Sequence, residues 1–292
     1  MPGVGANHQT ETHNATLIPE VWSAQLNDFF RANLRTAAFF EDWSEDVDEG
    51  GDIIHVPTIS EMTANDKVVG SEVTLNAQTQ GTVDLTINTH KEVSFIIEDA
   101  VKSKIKRSYR LQERFMKNAG YTVAATLEDS LITLFGSFSN TVGASDSVFR
   151  DSDIRDAIAF LDTADVPPDD RAFFLHPNVI WKQLMAIDKF TLVQNTGGAD
   201  PVLKGQVGTL YGIPVVGTSR LGTLLGHRVG ALAHSSALAF ATGNIAGVNQ
   251  AGTVRMQSDY LLEFLGDLVV ADIIYGVIEN RDTSGVLIKA TS

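Results

Sequence analysis

Between Tyr109 and Phe138 apolar residues return at every fourth position, as Leu111, Phe115, Ala119, Val123, Leu127, Leu131 and Phe135, with Met116, Ala124, Leu134 and Phe138 beside them. The spacing predicts one long helix. At ~1.5 Å per residue it would run roughly 45 Å, well past the three or four turns of an average globular helix. A fourfold step overshoots the 3.6-residue turn by ~40°, so the apolar row winds around the axis. Several different elements must therefore pack against the helix in succession.

Composition bounds what surrounds that helix. A chain of 292 residues with 43% hydrophobic and 20% charged residues buries a substantial core, as one elaborate domain or two. With no cysteine, disulfides, thiolate metal sites and cysteine nucleophiles are excluded. Residues 1 to 16 are polar, carry no apolar h-region and read as a flexible arm rather than a signal peptide. The longest apolar stretch, Leu268 to Ile278, is broken by Asp272 and is too short to span a bilayer. The formal net charge of −14 disfavours electrostatic capture of nucleic acid, so any contact with DNA would be loose. One basic cluster, Lys102, Lys104, Lys106, Arg107, Arg110 and Arg114, reads as a solvated or subunit-contacting face at the start of the long helix.

After the arm, Pro19 opens a helix carrying Val21, Trp22, Leu26, Phe29, Phe30 and Leu34 at helical intervals. The acidic segment from Glu41 to Gly51 reads as a solvated loop, because it lacks the ligand spacing of a calcium loop. Asp52 to Ile59 reads as a strand, with Pro57 marking an edge. From Thr82, residues Val83, Leu85, Ile87, Val93, Phe95 and Ile97 keep one parity while polar residues keep the other, which predicts a single strand of some sixteen residues. Such a hairpin would project from the body, with the polar connection from Thr63 to Gly81 as an exposed tip. An isolated two-stranded ribbon is marginal in water, so it needs a partner surface, naturally another copy of the chain.

Beyond the long helix, Ser152 or Asp153 would cap a helix through Ile154, Ala157, Ile158 and Leu161, and Pro167 to Asp170 would end it with a turn. Arg171 to Leu175 reads as a buried strand, Asn178 to Ile187 as a helix, and Ile213 to Val216 as a strand. Helices and strands alternate here without a βαβ cadence, so the fold class is α+β.

No catalytic, cofactor or metal site emerges. The glycines from 205 to 212 fit neither the dinucleotide nor the P-loop pattern, and Gly217-Thr-Ser-Arg-Leu-Gly222 lacks the glycine spacing of a nucleophile elbow. The seven histidines never occur at metal-ligand spacing on a helix; His55 and His90 are left to face each other or solvent in the hairpin. Asp151-Ser-Asp153 reads as helix capping rather than a magnesium site.

Several phrases, Glu98-Asp99-Ala100 before the long helix, Leu127-Glu128-Asp129 within it, Phe174-Leu-His-Pro177, and Leu210-Tyr-Gly-Ile-Pro-Val-Val-Gly-Thr-Ser219, together with the element order, resemble major capsid proteins of tailed bacteriophages with the Hong Kong 97-type fold. The resemblance implies an N-terminal arm and helix at 1–50, an extended E-loop hairpin at 51–97, a peripheral domain of 98–143 and 257–292 carrying the long spine helix, and an axial domain at 144–256. It implies a non-enzymatic shell subunit, needing no cofactor, that forms hexamers and pentamers of an icosahedral virion capsid around double-stranded DNA. The front of the chain lacks a long charged helical extension, which implies a separate scaffolding protein; a portal and a decoration protein are further expected partners. Candidate subunit-interface residues are Asp66, Lys67 and Glu72 at the hairpin tip and Lys106, Arg107 and Arg110 in the basic cluster. A cargo-enclosing nanocompartment of the same fold and an oligomeric α+β enzyme are the alternatives.

Overall fold

The computed structural model describes residues 36–47, 52–59, 62–73, 75–76, 80–99, 109–144, 148–187, 209–224, 227–243 and 254–291. The expected N-terminal arm and the helix from Pro19, the residues from Lys102 to Arg107, and the glycines at 205 and 208 lie outside these ranges.

In chain order the elements are β1 (Glu41–Asp42), β2 (Ile53–Ile59), β3 (Gln80–Thr86), β4 (Thr89–Glu98), α1 (Tyr109–Leu134), β5 (Thr141–Val142), α2 (Asp151–Thr163), β6 (Arg171–Leu175), α3 (Pro177–Lys182), β7 (Thr209–Leu210), β8 (Ile213–Gly217), β9 (Thr223–Leu224), β10 (His227–His234), β11 (Leu238–Thr242), β12 (Arg255–Leu261), β13 (Gly266–Glu279) and β14 (Gly285–Ala290). They form three sheets. A five-stranded sheet has the order β1-β11-β13-β12 with β4 along the other edge of β13; a seven-stranded sheet has the order β5-β14-β10-β6-β8-β7 with β9 beside β10; β2 and β3 pair alone. Each larger sheet mixes strands from before and after residue 256: β14 lies beside β10, and β11 beside β13.

The long helix forms as its periodicity predicts, 26 residues of α-helix tightening to a 3-10 turn at Phe135–Ser137. Ala119, Val123, Leu127, Leu131 and Phe135 are all buried. The winding of this row has the expected consequence. On one side Tyr275 of β13 bonds Ser130 Oγ at 2.9 Å and donates to Thr126 O at 3.2 Å, while Glu128 and Asp129 face the loop after β8. The odd-numbered residues of β4 and β13, including Val93, Phe95, Val269, Ala271, Ile273 and Tyr275, pack in the same core as the helix, and Ala172, Phe174, Ala231 and Leu287 of the seven-stranded sheet join it. That layering is why α1 must be apolar on more than one side.

The predicted sixteen-residue strand is two strands. The ladder stops at Ile87–Asn88, where β3 ends its pairing with β2 and β4 begins its ten-residue pairing with β13. Parity survives the break because both strands keep their odd residues inward: Leu85 is fully buried with Val47 and Ala241, and Val93 and Phe95 lie under α1. Period two cannot reveal a change of sheet that preserves the inward face. Burial fades along the ribbon, with Ile54, Val56, Val83 and Leu85 wholly or partly covered and Pro57, Thr58 and Ile59 exposed, so the hairpin is rooted at one end and free at the other.

Two other expectations are corrected and a third is narrowed. Within the acidic segment residues 41–47 pack, 48–51 lying outside the described residues: Trp43 Nε1 donates to Glu41, Asp42 accepts from Ser44 N at 2.9 Å, and Ser44 and Val47 are buried, β1 being held parallel to β11. The buried side chains are Ser44 and Val47, while the carboxylates of Asp42, Glu45 and Asp46 stay exposed. Of the two expected caps of α2, Asp153 is the one used, accepting from Arg150 N at 2.8 Å from inside the first turn. The predicted helix from Asn178 to Ile187 is α3 followed by a 3-10 turn at Leu184–Ala186.

The ribbon's root depends on a close approach. A Cβ on Gly276 would lie 2.3 Å from Thr86 O and 2.9 Å from Thr86 C, backbone atoms at the exact end of β3 that no rotamer change can clear. Gly276→Ala is expected to cost about 1–3 kcal/mol through overpacking, read as a lower urea midpoint. An unchanged midpoint would mean that the root does not bear on β13.

Candidate assembly surfaces

At the hairpin tip the chain turns at Val69–Gly70, where Gly70 takes φ of 87° and Ser71 N donates to Val68 O at 3.2 Å. Lys67 Nζ donates to Val68 O at 3.2 Å and also to Ser71 O, so its ammonium closes the turn. Asn76 Nδ2 donates to Thr63 O at 2.7 Å and Asn65 Nδ2 to Asn76 Oδ1 at 2.9 Å, tying the two limbs together. Asp66, Lys67 and Glu72 are thus gathered on one exposed tip. Lys106 and Arg107 fall outside the described residues, and Arg110 lies in the first turn of α1.

Polar composition hid the tip's main property. Val69 is 100% exposed, Leu75 90%, Ile59 74% and Met62 70%, with Val68 and Val73 also exposed. So many large apolar side chains exposed on one ribbon form an apolar surface of the kind that marks interaction sites. The signal was present in Met62, Val68, Val69, Val73 and Leu75, but they are scattered among Asn, Asp, Ser and Thr and follow no single period.

Two of the phrases singled out in the sequence meet in space. Thr218 and Thr36 hydroxyls both donate to Glu128 Oε1, at 3.1 and 3.0 Å, and Glu128 is buried. One residue on, Asp129 receives Arg220 in a two-pronged pair at 2.7 and 2.5 Å, and Arg220 Nη1 reaches Tyr121 Oη at 3.4 Å. The Asp129 carboxylate holds the Arg220 guanidinium above its usual pKa. Leu127-Glu-Asp129 and the Thr218-Ser-Arg220 segment therefore clamp the helix to the seven-stranded sheet. Upstream, Tyr211 and Gly212 both have positive φ, the two-residue turn that joins β7 and β8, and Tyr211 Oη donates to Asp151.

The histidines do not meet. His55 bonds Asp84 on the exposed ribbon at 2.7 Å, and His90 Nε2 lies 2.8 Å from Asp272 Oδ2. Asp272, buried on β13, also takes Arg255 of β12 at 3.0 and 2.7 Å, so one carboxylate joins three neighbouring strands, β12, β13 and the β4 that follows the hairpin. Burial alone would raise its pKa, but the hydrogen bonds and charges of Arg255 and His90 outweigh it and hold it below the ordinary value. A depressed carboxylate pKa contributes stability that is complete above the unfolded value and is lost as pH falls through the folded one. Asp272→Asn is expected to destabilise by about 2–3 kcal/mol at neutral pH and to flatten the loss of stability below about pH 4, measured as urea midpoints against pH. Parallel acid limbs in variant and wild type would remove Asp272 from this role.

His176 and His234 serve as helix caps. Each accepts a backbone N–H at Nδ1, from Asn178 and Ser236 respectively, both at 3.1 Å. Pro177 after His176 fixes the first helical residue, which accounts for the His-Pro phrase. His234 lines a cavity of about 220 Å³ with Asp165, Ser236, Arg281 and Thr283. Its Nδ1 also lies 2.8 Å from Ser236 Oγ, yet the backbone N–H occupies the same nitrogen, an arrangement for capping rather than for activating a nucleophile.

No protein-family model matches the sequence, and a search of curated proteins returns no match. Solved structures do match. A structure from Mycobacterium phage Che8 superposes with a TM-score of 0.72 at 18% identity, covering 99% of this chain and 96% of that one. The mature capsid of bacteriophage PhiM1 gives 0.67 at 13% identity, over 98% and 90% of the two chains. A virus-like particle from Pyrococcus furiosus gives 0.58 at 11% identity, over 94% and 100%. The chain has the mixed α+β Hong Kong 97-type fold of phage capsid structures.

Proposed function

We propose that the chain is the structural subunit of an icosahedral phage head, assembling as hexamers and pentamers into a virion capsid around double-stranded DNA. The observation that carries this reading is the ribbon: a rooted, projecting hairpin with exposed apolar side chains, on a chain whose capsid fold spans nearly its whole length. A single copy leaves that surface in water, whereas a heterologous contact with the next copy covers it and repeats around a closed ring.

In this reading residues 51–97 are the overlapping loop, 98–143 and 257–292 the peripheral domain, and 144–256 the axial domain. Asp66, Lys67 and Glu72 form a charged rim to the apolar tip, and Lys106, Arg107 and Arg110 belong to a facing subunit surface. A separate scaffolding protein, a portal and a decoration protein are the accompanying partners. The net charge of −14 suits a wall that touches packaged DNA loosely. The role is structural, not enzymatic.

The likeness to the virus-like particle from Pyrococcus furiosus supports a second reading, a container of the same fold with a different content. Nuclease treatment of purified particles separates the two. Protected double-stranded DNA of uniform length supports the phage head, and particles holding protein cargo without DNA support the compartment.

A further inference from the structure

Among the described residues the chain passes between the five-stranded and seven-stranded sheets three times, at 135–140, 235–237 and 280–284. All three crossings contain 3-10 turns, and they meet. Asn280 N and Arg281 N donate to Ala237 O at 2.9 and 3.1 Å, Ser139 N donates to Asp282 Oδ1 at 2.7 Å, and Leu287 N donates to Asn140 O at 2.8 Å. One small junction thus couples the end of α1 to the ends of β10, β13 and β14.

Glu279, the last residue of β13, is set into this junction. Its Oε1 is buried with no hydrogen-bond partner among the described residues, and its neighbours are the Ser137 hydroxyl and the Asp282 carboxyl. A charged carboxylate with one unsolvated oxygen beside a second carboxylate is doubly penalised. Asp282 is the better site for the charge, because the Ser139 N–H already points at it. We propose that Glu279 and Asp282 share a single proton at this junction, and that its loss loosens the three crossings that join the sheets.

The directions of titration agree. Burial, then the neighbouring Asp282, pushes Glu279 up, and the hydrogen bond from the Ser139 backbone N–H holds Asp282 down. The other charged groups around the junction, among the described residues, are Arg281 in the same turn, Glu41 of β1, which accepts from Asn280 Nδ2 at 3.3 Å, His234 at the end of β10, and Asp165, which lines a cavity with His234 and Arg281. The turn closing α1, Phe135 to Ser139, brings none. A raised carboxyl pKa gives stability that is complete below the unfolded value near 4.5 and is lost as pH rises through the folded one. The core shared by both sheets keeps them from swinging apart, so the loosening is local.

Hydrogen–deuterium exchange of the full chain, corrected for intrinsic rates, tests this between pH 4.5 and 8. Amides in 135–142, 235–242 and 280–287 are expected to lose protection by about tenfold as pH rises, while amides within β6 stay protected. Glu279→Gln is expected to hold that protection across the range. Asp282→Asn, a second variant should the first fold poorly, is expected to shift the transition to lower pH. The same pH response in both variants as in the wild type, or no response in the wild type, overturns the shared proton. Neither result bears on whether the chain builds a shell, which particle formation alone decides.

Discussion

Replacing Phe174 by Ala is expected to remove about 3–5 kcal/mol of stability, the range for a large buried aromatic, and to lower the urea midpoint to match. Phe174 lies on the buried strand β6, and its ring meets those of Phe39, Phe40 and Phe135, each with centroids 5.4 Å apart. Those three rings come from the segment before β1 and from the closing turn of α1, so a single side chain holds together parts of the chain more than a hundred residues apart. A fully buried site ringed by other aromatics collapses poorly when emptied, which places the loss towards the upper end. Against a typical total of about 5–15 kcal/mol, such a loss leaves little margin. A loss under about 1 kcal/mol would contradict the assigned core.

The second large effect is on assembly. Val69→Asp combined with Leu75→Asp changes two side chains that are 100% and 90% exposed, so the monomer's stability should move by no more than about 0.5 kcal/mol. Burying each at a subunit contact is worth about 1.5–3 kcal/mol, and losing both weakens every contact by on the order of 10²- to 10⁴-fold. Circular dichroism and urea unfolding should match the wild type while sedimentation shows no particles. Normal particles from the double variant would take the tip out of the interface.

The sequence made the helix legible because one rule, a fourfold apolar step from Leu111 to Phe135, governs it through twenty-five residues. The short strand at Arg171–Leu175 was legible for a similar reason, its residues being buried on both faces. What stayed hidden depends on distant partners. Glu128 reads as one more polar residue on the helix until Thr36 and Thr218, about ninety positions away on either side, are seen to donate to it. Asp272 reads as an interruption of an apolar run, and only the register of β12 and β4 on β13 shows it to be a strand-joining anchor. The break at Ile87–Asn88 left no trace in parity, and the tip's apolar residues left none in composition.

Static light scattering with negative-stain electron microscopy on the purified chain, alone and with a scaffolding protein supplied, tests the central claim most directly. The account predicts closed shells, or rings and tubes of the same lattice, of megadalton mass in at least one of the two conditions. A monodisperse monomer or small oligomer in both conditions, with the hairpin tip still solvent-exposed, would contradict it.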